Sequence, residues 1–254
     1  MELTTKIKNK IKRVYFLKVP VDIVDEESFN TYVKQLLQSN THHQLTFLTM
    51  QGLFKARRRW DYYKCIAESS LILPVSRGIM RGGRLLHLGD FTRYNPFDTI
   101  INLLHLAEEN GYPVYLLGAQ KHDLEQAERN LRTSFPSLKI IGRFSGYFNP
   151  HTEEDVILTI KKSHPAIILV GRGIKDREMW ILRNKKRLNP GISIWIDNVF
   201  EIFSGREKYI SAGVFNSGLE GMAGISTKPW KFFRIFPYLY FNILLLIYKI
   251  FKLG

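Results

Sequence analysis

Cysteine is all but absent from these 254 residues. Cys65 stands alone, which excludes an internal disulfide and any metal site built from several thiolates, and suits a reducing compartment. No Walker pattern is present, and no G-x-G-x-x-G follows the first apolar run, so neither phosphate-binding fingerprint applies. The seven histidines are scattered without metal-ligand spacing. Internal repeats and low-complexity linkers are missing too, so one domain is expected up to about Ser226. Met1 to Lys10 is basic and polar with no apolar centre, unlike a secretory signal. Acidic residues vanish after Glu220, and the uncharged run Ile235 to Tyr248 falls short of the ~20 residues of a membrane span.

What is present in excess is positive charge: 37 Lys+Arg against 23 Asp+Glu, a formal +14. Such a surplus favours an anionic partner, whether nucleic acid, an acidic membrane or a phosphorylated substrate, without choosing among them. Apolar runs alternate with amphipathic stretches, which predicts an α/β fold with a Rossmann-like parallel sheet and helices on both faces. Expected strands are 14–17, 44–49, 71–74, 114–118, 166–171 and 193–196. Several lack polar alternation, as strands do when both sheet faces are covered. Asp25 is placed to cap a helix bearing Phe29, Val33, Leu36 and Leu37, and Leu124, Ala127 and Leu131 mark another.

Three glycine-bearing turns follow strands: "PVSRGIMRGG", "LLGAQKHD" and "LVGRGIKDRE". Turns at the carboxyl ends of parallel strands hold ligands in open α/β folds, and each can aim backbone N–H groups at an anion. With Arg77, Arg81, Arg172 and Lys175 among them, they point to a nucleotide or sugar-nucleotide site. Thr49 ends a strand, where its hydroxyl meets either a ligand or its own backbone. Arg93 and Asp98 flank a turn that opens a helix, where a carboxylate also suits the helix dipole. "ARRRW" (56–60) has the composition of a nucleic-acid patch, although a solvated helix face accounts for such a run equally simply. The tail after Thr227 is basic and aromatic, as in a segment lying in a membrane interface. Packing on the core is its plainer reading, and Pro237 is expected to interrupt any helix there.

In this order the pieces resemble the WecG/TagA/CpsF group, glycosyltransferase family 26, over most of residues 14–224. The resemblance rests on "FLKVPVDIVDEESFNTYVKQLL", "LTFLTMQ", "VYLLGAQKHDLEQAERNLRTSFPSLKIIGRFSGYF", "ILVGRGIKDREMW", "FEIFSGR" and "SGLEG". It implies a bacterial enzyme, peripheral on the cytoplasmic face of the membrane. Such an enzyme moves an N-acetylhexosamine-type sugar from a UDP donor to a polyprenyl-diphosphate-linked acceptor, with inversion and without a metal or other cofactor. It also implies a C-terminal appendage that touches the membrane, and is compatible with self-association. Composition sets the expected bounds at a domain over residues 1–226 and a membrane-interface appendage over 227–254, with an anionic membrane surface as partner and, absent any recognisable binding module, no nucleic acid.

The resemblance keeps Thr49 and Asp98, which together with Asp90, a nearby carboxylate able to replace a missing base after a loop rearrangement, are the catalytic candidates. It keeps Gly78, Arg93, Gly118, Gly171, Glu178, Arg206 and Glu220 for substrate binding, and the glycine-bearing turns add Ser76, Arg77 and Arg172. The departures are specific. Where the family has Pro-Asp-Gly, with the Asp as proposed base, this chain reads Pro74-Val75-Ser76. A Pro-x-Gln-Glu run has become Lys175-Asp176-Arg177-Glu178, and a family Asp is Glu201. A valine accepts no proton, so a non-catalytic sugar-nucleotide or glycolipid-binding relative is the alternative reading.

Overall fold

The computed structural model describes residues 11–209, 213, 215 and 235–251. Its centre is a six-stranded parallel sheet: β3 (His42–Leu48), β4 (Leu71–Pro74), β5 (Val114–Leu117), β6 (Ile140–Phe144), β7 (Ile167–Val170) and β8 (Gly191–Trp195). The spatial order is β4-β3-β8-β7-β5-β6. The lack of alternation along the central strands now has its cause, because neither of their faces meets water. Val114 and Leu116 enter one core cluster, Tyr115 and Leu117 the opposite one, and Ile167 to Val170 split the same way. Five of the expected strands lie in this sheet, and β6, which begins within "FPSLKII", adds the sixth.

The first expected strand does not join the sheet. β1 (Lys12–Phe16) pairs antiparallel with β2 (Val19–Ile23) in a separate hairpin. Its two-residue turn, Leu17-Lys18, holds both residues at positive φ, 51° and 68°, the twist that two-residue hairpin turns favour. The hairpin reaches edge strand β4 through one side chain. Asp22, 2% exposed, accepts the Ile72 N–H at 2.7 Å and both ends of the Arg13 fork at 2.7 and 2.8 Å. The carboxylate thus occupies an edge-strand amide that would otherwise be left unpaired.

Helices flank the sheet. α1 (Glu26–Leu37) begins at Asp25, whose carboxylate accepts the Ser28 N–H at 2.7 Å. With α5 (Pro96–Asn110), α6 (Lys121–Ser134) and the short α9 (Val199–Phe203) it covers one face. α7 (Glu153–Ser163) and α8 (Glu178–Asn184) cover part of the other. α2 (Met50–Arg58), α3 (Trp60–Ala67) and the hairpin share a third cluster.

Two expectations are overturned here. The glycine-rich segment after β4 is no extended turn but a helix, α4 (Arg77–Leu85). Its glycines form a seam for neighbouring side chains: a Cβ on Gly78 would lie 3.0 Å from Phe241, and one on Gly82 would lie 2.5 Å from Phe16 and 2.9 Å from Leu245. Phe241 and Leu245 belong to α10 (Ile235–Ile250), a helix that Pro237 does not interrupt. The proline falls in the first turn of α10, where no intrahelical partner is lost. α10 buries Phe241, Leu244, Leu245 and Tyr248 against the domain while Leu239, Ile243, Leu246, Ile247 and Ile250 stay exposed. No helix among the described residues is long and apolar enough to cross a membrane.

Candidate active site at the carboxyl edge of the sheet

After β5 the chain runs outward to β6, whereas after β7 it runs inward to β8. The loops leaving these neighbouring strands therefore diverge, onto opposite faces, and open a crevice of the kind that receives ligands in open α/β sheets. Gly118 and Gly171 meet at its floor. A Cβ on Gly118, which sits at φ 143°, would lie 2.7 Å from the Gly171 backbone. The amides of Gly118, Ala119, Gly146 and Gly171 all donate to backbone carbonyls. These loops are pressed together rather than shaped into a nest of unpaired N–H groups.

A cavity of about 420 Å³ opens beside them, lined by Gln120, His122, Asp123, Gln126, Ser204, Gly205 and Arg206. Asp123 is buried in the first turn of α6, with Arg206 at 2.8 Å. Arg206 also reaches Glu201, in α9, at 3.3 Å. Arg172, from the loop after β7, lies 2.8 Å from Glu207, 3.2 Å from Asp197 and 3.7 Å from Glu201. Burial raises the Glu201 carboxyl above the usual carboxylate range, against the pull of both arginines. Hydrogen bonds from Asn198 and Arg172 hold Glu207 below that range. The two arginines that read from sequence as anion hooks are thus shared among Asp123, Asp197, Glu201 and Glu207, none of them singled out beforehand as a site residue. Nothing local marks such pairs: Asp123 reads as an ordinary helix-start acid, and its arginine comes much later in the chain.

The other half of the edge lies over β3 and β4. Thr49 caps α2, accepting the Gly52 N–H at 3.0 Å. Ser76 accepts the Met50 N–H at 2.9 Å instead of capping α4, which starts at Arg77 without a side-chain cap. Val75 is held on both sides: its N–H donates to Leu48 at 3.0 Å, and its carbonyl accepts from Arg93 Nε at 2.7 Å. Arg93 stacks on Phe215, 3.6 Å from the ring centroid, and donates to the Phe215 carbonyl. Asp98 stands in the first turn of α5 and accepts from the Tyr209 hydroxyl. Asp90 is elsewhere: its carboxylate is 85% exposed and pairs with Arg84 at 2.9 Å. Glu220 lies outside the described residues.

Glu178 opens α8 beneath this half. Nearly buried, it accepts from the Tyr62 hydroxyl, while Gln44 donates to its carbonyl at 2.9 Å. It follows Asp176 and Arg177, both at positive φ, 62° and 55°. Cys65 lies against the same carbonyl, and burial pushes its thiol up to about 12, which leaves it unreactive.

The sequence profile of the glycosyl transferase WecG/TagA/CpsF family matches residues 14–253. The chain belongs to this family. Among curated relatives it is similar to the N-acetylglucosaminyldiphosphoundecaprenol N-acetyl-beta-D-mannosaminyltransferase of Bacillus subtilis strain 168, with 25% identity over 182 residues, 72% of this chain and 70% of the relative. The enzyme of the same name from Bacillus spizizenii is 24% identical over 218 residues, 85% of this chain and 84% of the relative. That from Staphylococcus aureus strain NCTC 8325 is 25% identical over 147 residues, 58% of this chain and 57% of the relative. As a WecG/TagA/CpsF glycosyltransferase, this chain carries its valine just after β4, held between the Leu48 carbonyl at the end of β3 and the arginine that grips its own carbonyl.

Proposed function

We propose that the protein transfers an N-acetylhexosamine-type sugar from a UDP-sugar to a polyprenyl-diphosphate-linked acceptor at the inner face of the bacterial membrane, with inversion and without a metal. The observation that carries the reading is the contact between Gly78 and Phe241. It ties one end of the crevice, with Thr49, Ser76 and Arg77, to a helix whose outer face is apolar and exposed. A lipid-linked acceptor arrives from that side, and the donor takes the 420 Å³ cavity at the other end. α6 starts there without a side-chain cap, so its first-turn amides suit the donor diphosphate, with Arg206 and Arg172 exchanging acid partners for phosphate.

In this scheme the acceptor hydroxyl attacks the anomeric carbon, its bond to UDP breaks, and the proton passes to a base. Asp98 is the base we assign, oriented by the Tyr209 hydroxyl. Thr49 accepts one N–H and keeps a hydroxyl proton to donate to substrate oxygen. Glu178 positions the Thr49 end through Tyr62, whose hydroxyl lies near both Glu178 and Gly52. The test is release of UDP from a panel of UDP-N-acetylhexosamines with a polyprenyl-diphosphate-linked sugar. Acceptor-dependent release that Arg206→Ala abolishes supports the reading. Tight UDP binding without turnover on any pair overturns it in favour of a binding protein.

A further inference from the structure

The basic, aromatic stretch Lys55 to Lys64, with five Lys/Arg and one Asp, takes part in that chemistry only through Tyr62. The structure places it against α10. Phe54 packs on Tyr240, with ring centroids 5.4 Å apart and planes tilted by 54°, and Arg57 donates to the Tyr248 hydroxyl at 3.0 Å. Both contacts come from the last turns of α2, Phe54 meeting the first half of α10 and Arg57 a tyrosine near its end, so the C-terminal part of α2 rests against α10. Phe54 and Arg58 share one stripe of α2, four residues apart, so the flank that meets Tyr240 continues into Arg58. Arg57 also donates to the Leu17 carbonyl, which sets the hairpin turn, and Lys18 on it, at the same corner. Trp60, the first residue of α3, is 75% exposed and stacks on Tyr63 with ring planes 17° apart. An indole held so far out of the core is the side chain that water–lipid interfaces favour. Asp61, the acid of the stretch, is paired with Arg59.

We infer that this corner (Lys18, Arg58 and Trp60, with the Arg59–Asp61 pair beside them) is a second lipid-contacting surface that binds anionic headgroups while α10 lies in the interface beside it. The inference rests on the membrane reading above and adds to it a second contact, which fixes how the crevice faces the bilayer. One helix alone leaves the protein able to roll about the helix axis. Two contacts on separate elements stop that roll.

Flotation of the full chain with vesicles of mixed phosphatidylglycerol and phosphatidylcholine tests it. Arg58→Ala and Lys18→Ala, on different elements, are each expected to weaken binding roughly fivefold at low salt. Binding to pure phosphatidylcholine should stay unchanged. In mixed vesicles carrying a headgroup-level quencher, Trp60→Phe should remove a quenched component of the fluorescence. Ile243→Asp with Ile247→Asp should abolish binding to both vesicles. Loss in that double variant with full binding by the Arg58 and Lys18 variants overturns the corner and leaves the helix reading standing. Wild-type protein that ignores every vesicle overturns both. Corner variants that lose affinity for single-stranded RNA but keep it for vesicles overturn the inference in favour of a nucleic-acid surface.

Discussion

Val75 stands where the resemblance implies a base, and its own N–H and carbonyl are both engaged, with Leu48 on one side and Arg93 on the other. A carboxylate introduced there is presented on a fixed scaffold at the carboxyl edge, so Val75→Asp is expected to raise kcat of sugar transfer. If Asp98 is the base in use, Asp98→Asn lowers kcat by roughly 10²–10⁴-fold, the usual worth of general-base assistance; steady-state UDP release measures both. Asp22 makes a different residue-scale prediction. Removing its carboxylate leaves Arg13 half-buried and the Ile72 amide without a partner, so Asp22→Ala should cost about 3–5 kcal/mol in urea unfolding. His42 supplies a pH dependence. Burial lowers its pKa to about 4 even though the Asn189 carbonyl accepts from the ring. The unfolded chain therefore takes up a proton between pH 6.5 and 4 that the folded one refuses. Its contribution is complete above pH 6.5 and is lost as pH falls through that window, by on the order of 3 kcal/mol. His42→Gln should flatten the curve there.

At the scale of elements, α4 and α10 are one unit. A glycine in a helix interior costs stability, roughly 1 kcal/mol relative to alanine, and α4 carries three. They are there because Phe16, Phe91, Phe241 and Leu245 need the space a Cβ would take. Gly82→Val is expected to destabilise by about 1–3 kcal/mol through overpacking and to raise hydrogen exchange in α10 more than in α5, which does not touch the seam. The crevice glycines serve the same end at another place: Gly118 and Gly171 allow two loops to meet backbone to backbone. In both cases the glycine answers a neighbour distant in sequence, which is why a reading confined to the local stretch takes it for a phosphate turn.

For the whole molecule, the tail links stability to location. Ending the chain after Thr227 removes Phe241, Leu244, Leu245 and Tyr248 from a core cluster and uncovers α4. The truncated protein should move from the membrane fraction to the soluble fraction and also melt at a lower temperature. A tail that only packs predicts the second effect without the first. Among the many basic residues, diffuse in the sequence, two groups have distinct surroundings in the fold. Arg172 and Arg206 are balanced by carboxylates at and beside the 420 Å³ cavity, while Arg58 and Lys18 stand exposed at the outer corner.

The amino-acid sequence by itself determined the α/β class, five of the six sheet strands, the helix begun by Asp25, and the family. Those features follow from local apolar patterning, capping and the order of motifs along the chain, all of which a linear reading contains. The tertiary structure decided the rest. It put the first apolar run into a hairpin, turned the glycine-rich segment into a helix, carried α10 across Pro237, and surrounded Arg172 and Arg206 with acids. Each of these depends on a partner far along the chain or beyond its own element: Ile72 for Asp22, Phe241 for Gly78, Asp123 for Arg206. A side chain's partner in space is set by packing, and packing is not written in the spacing of residues along one stretch.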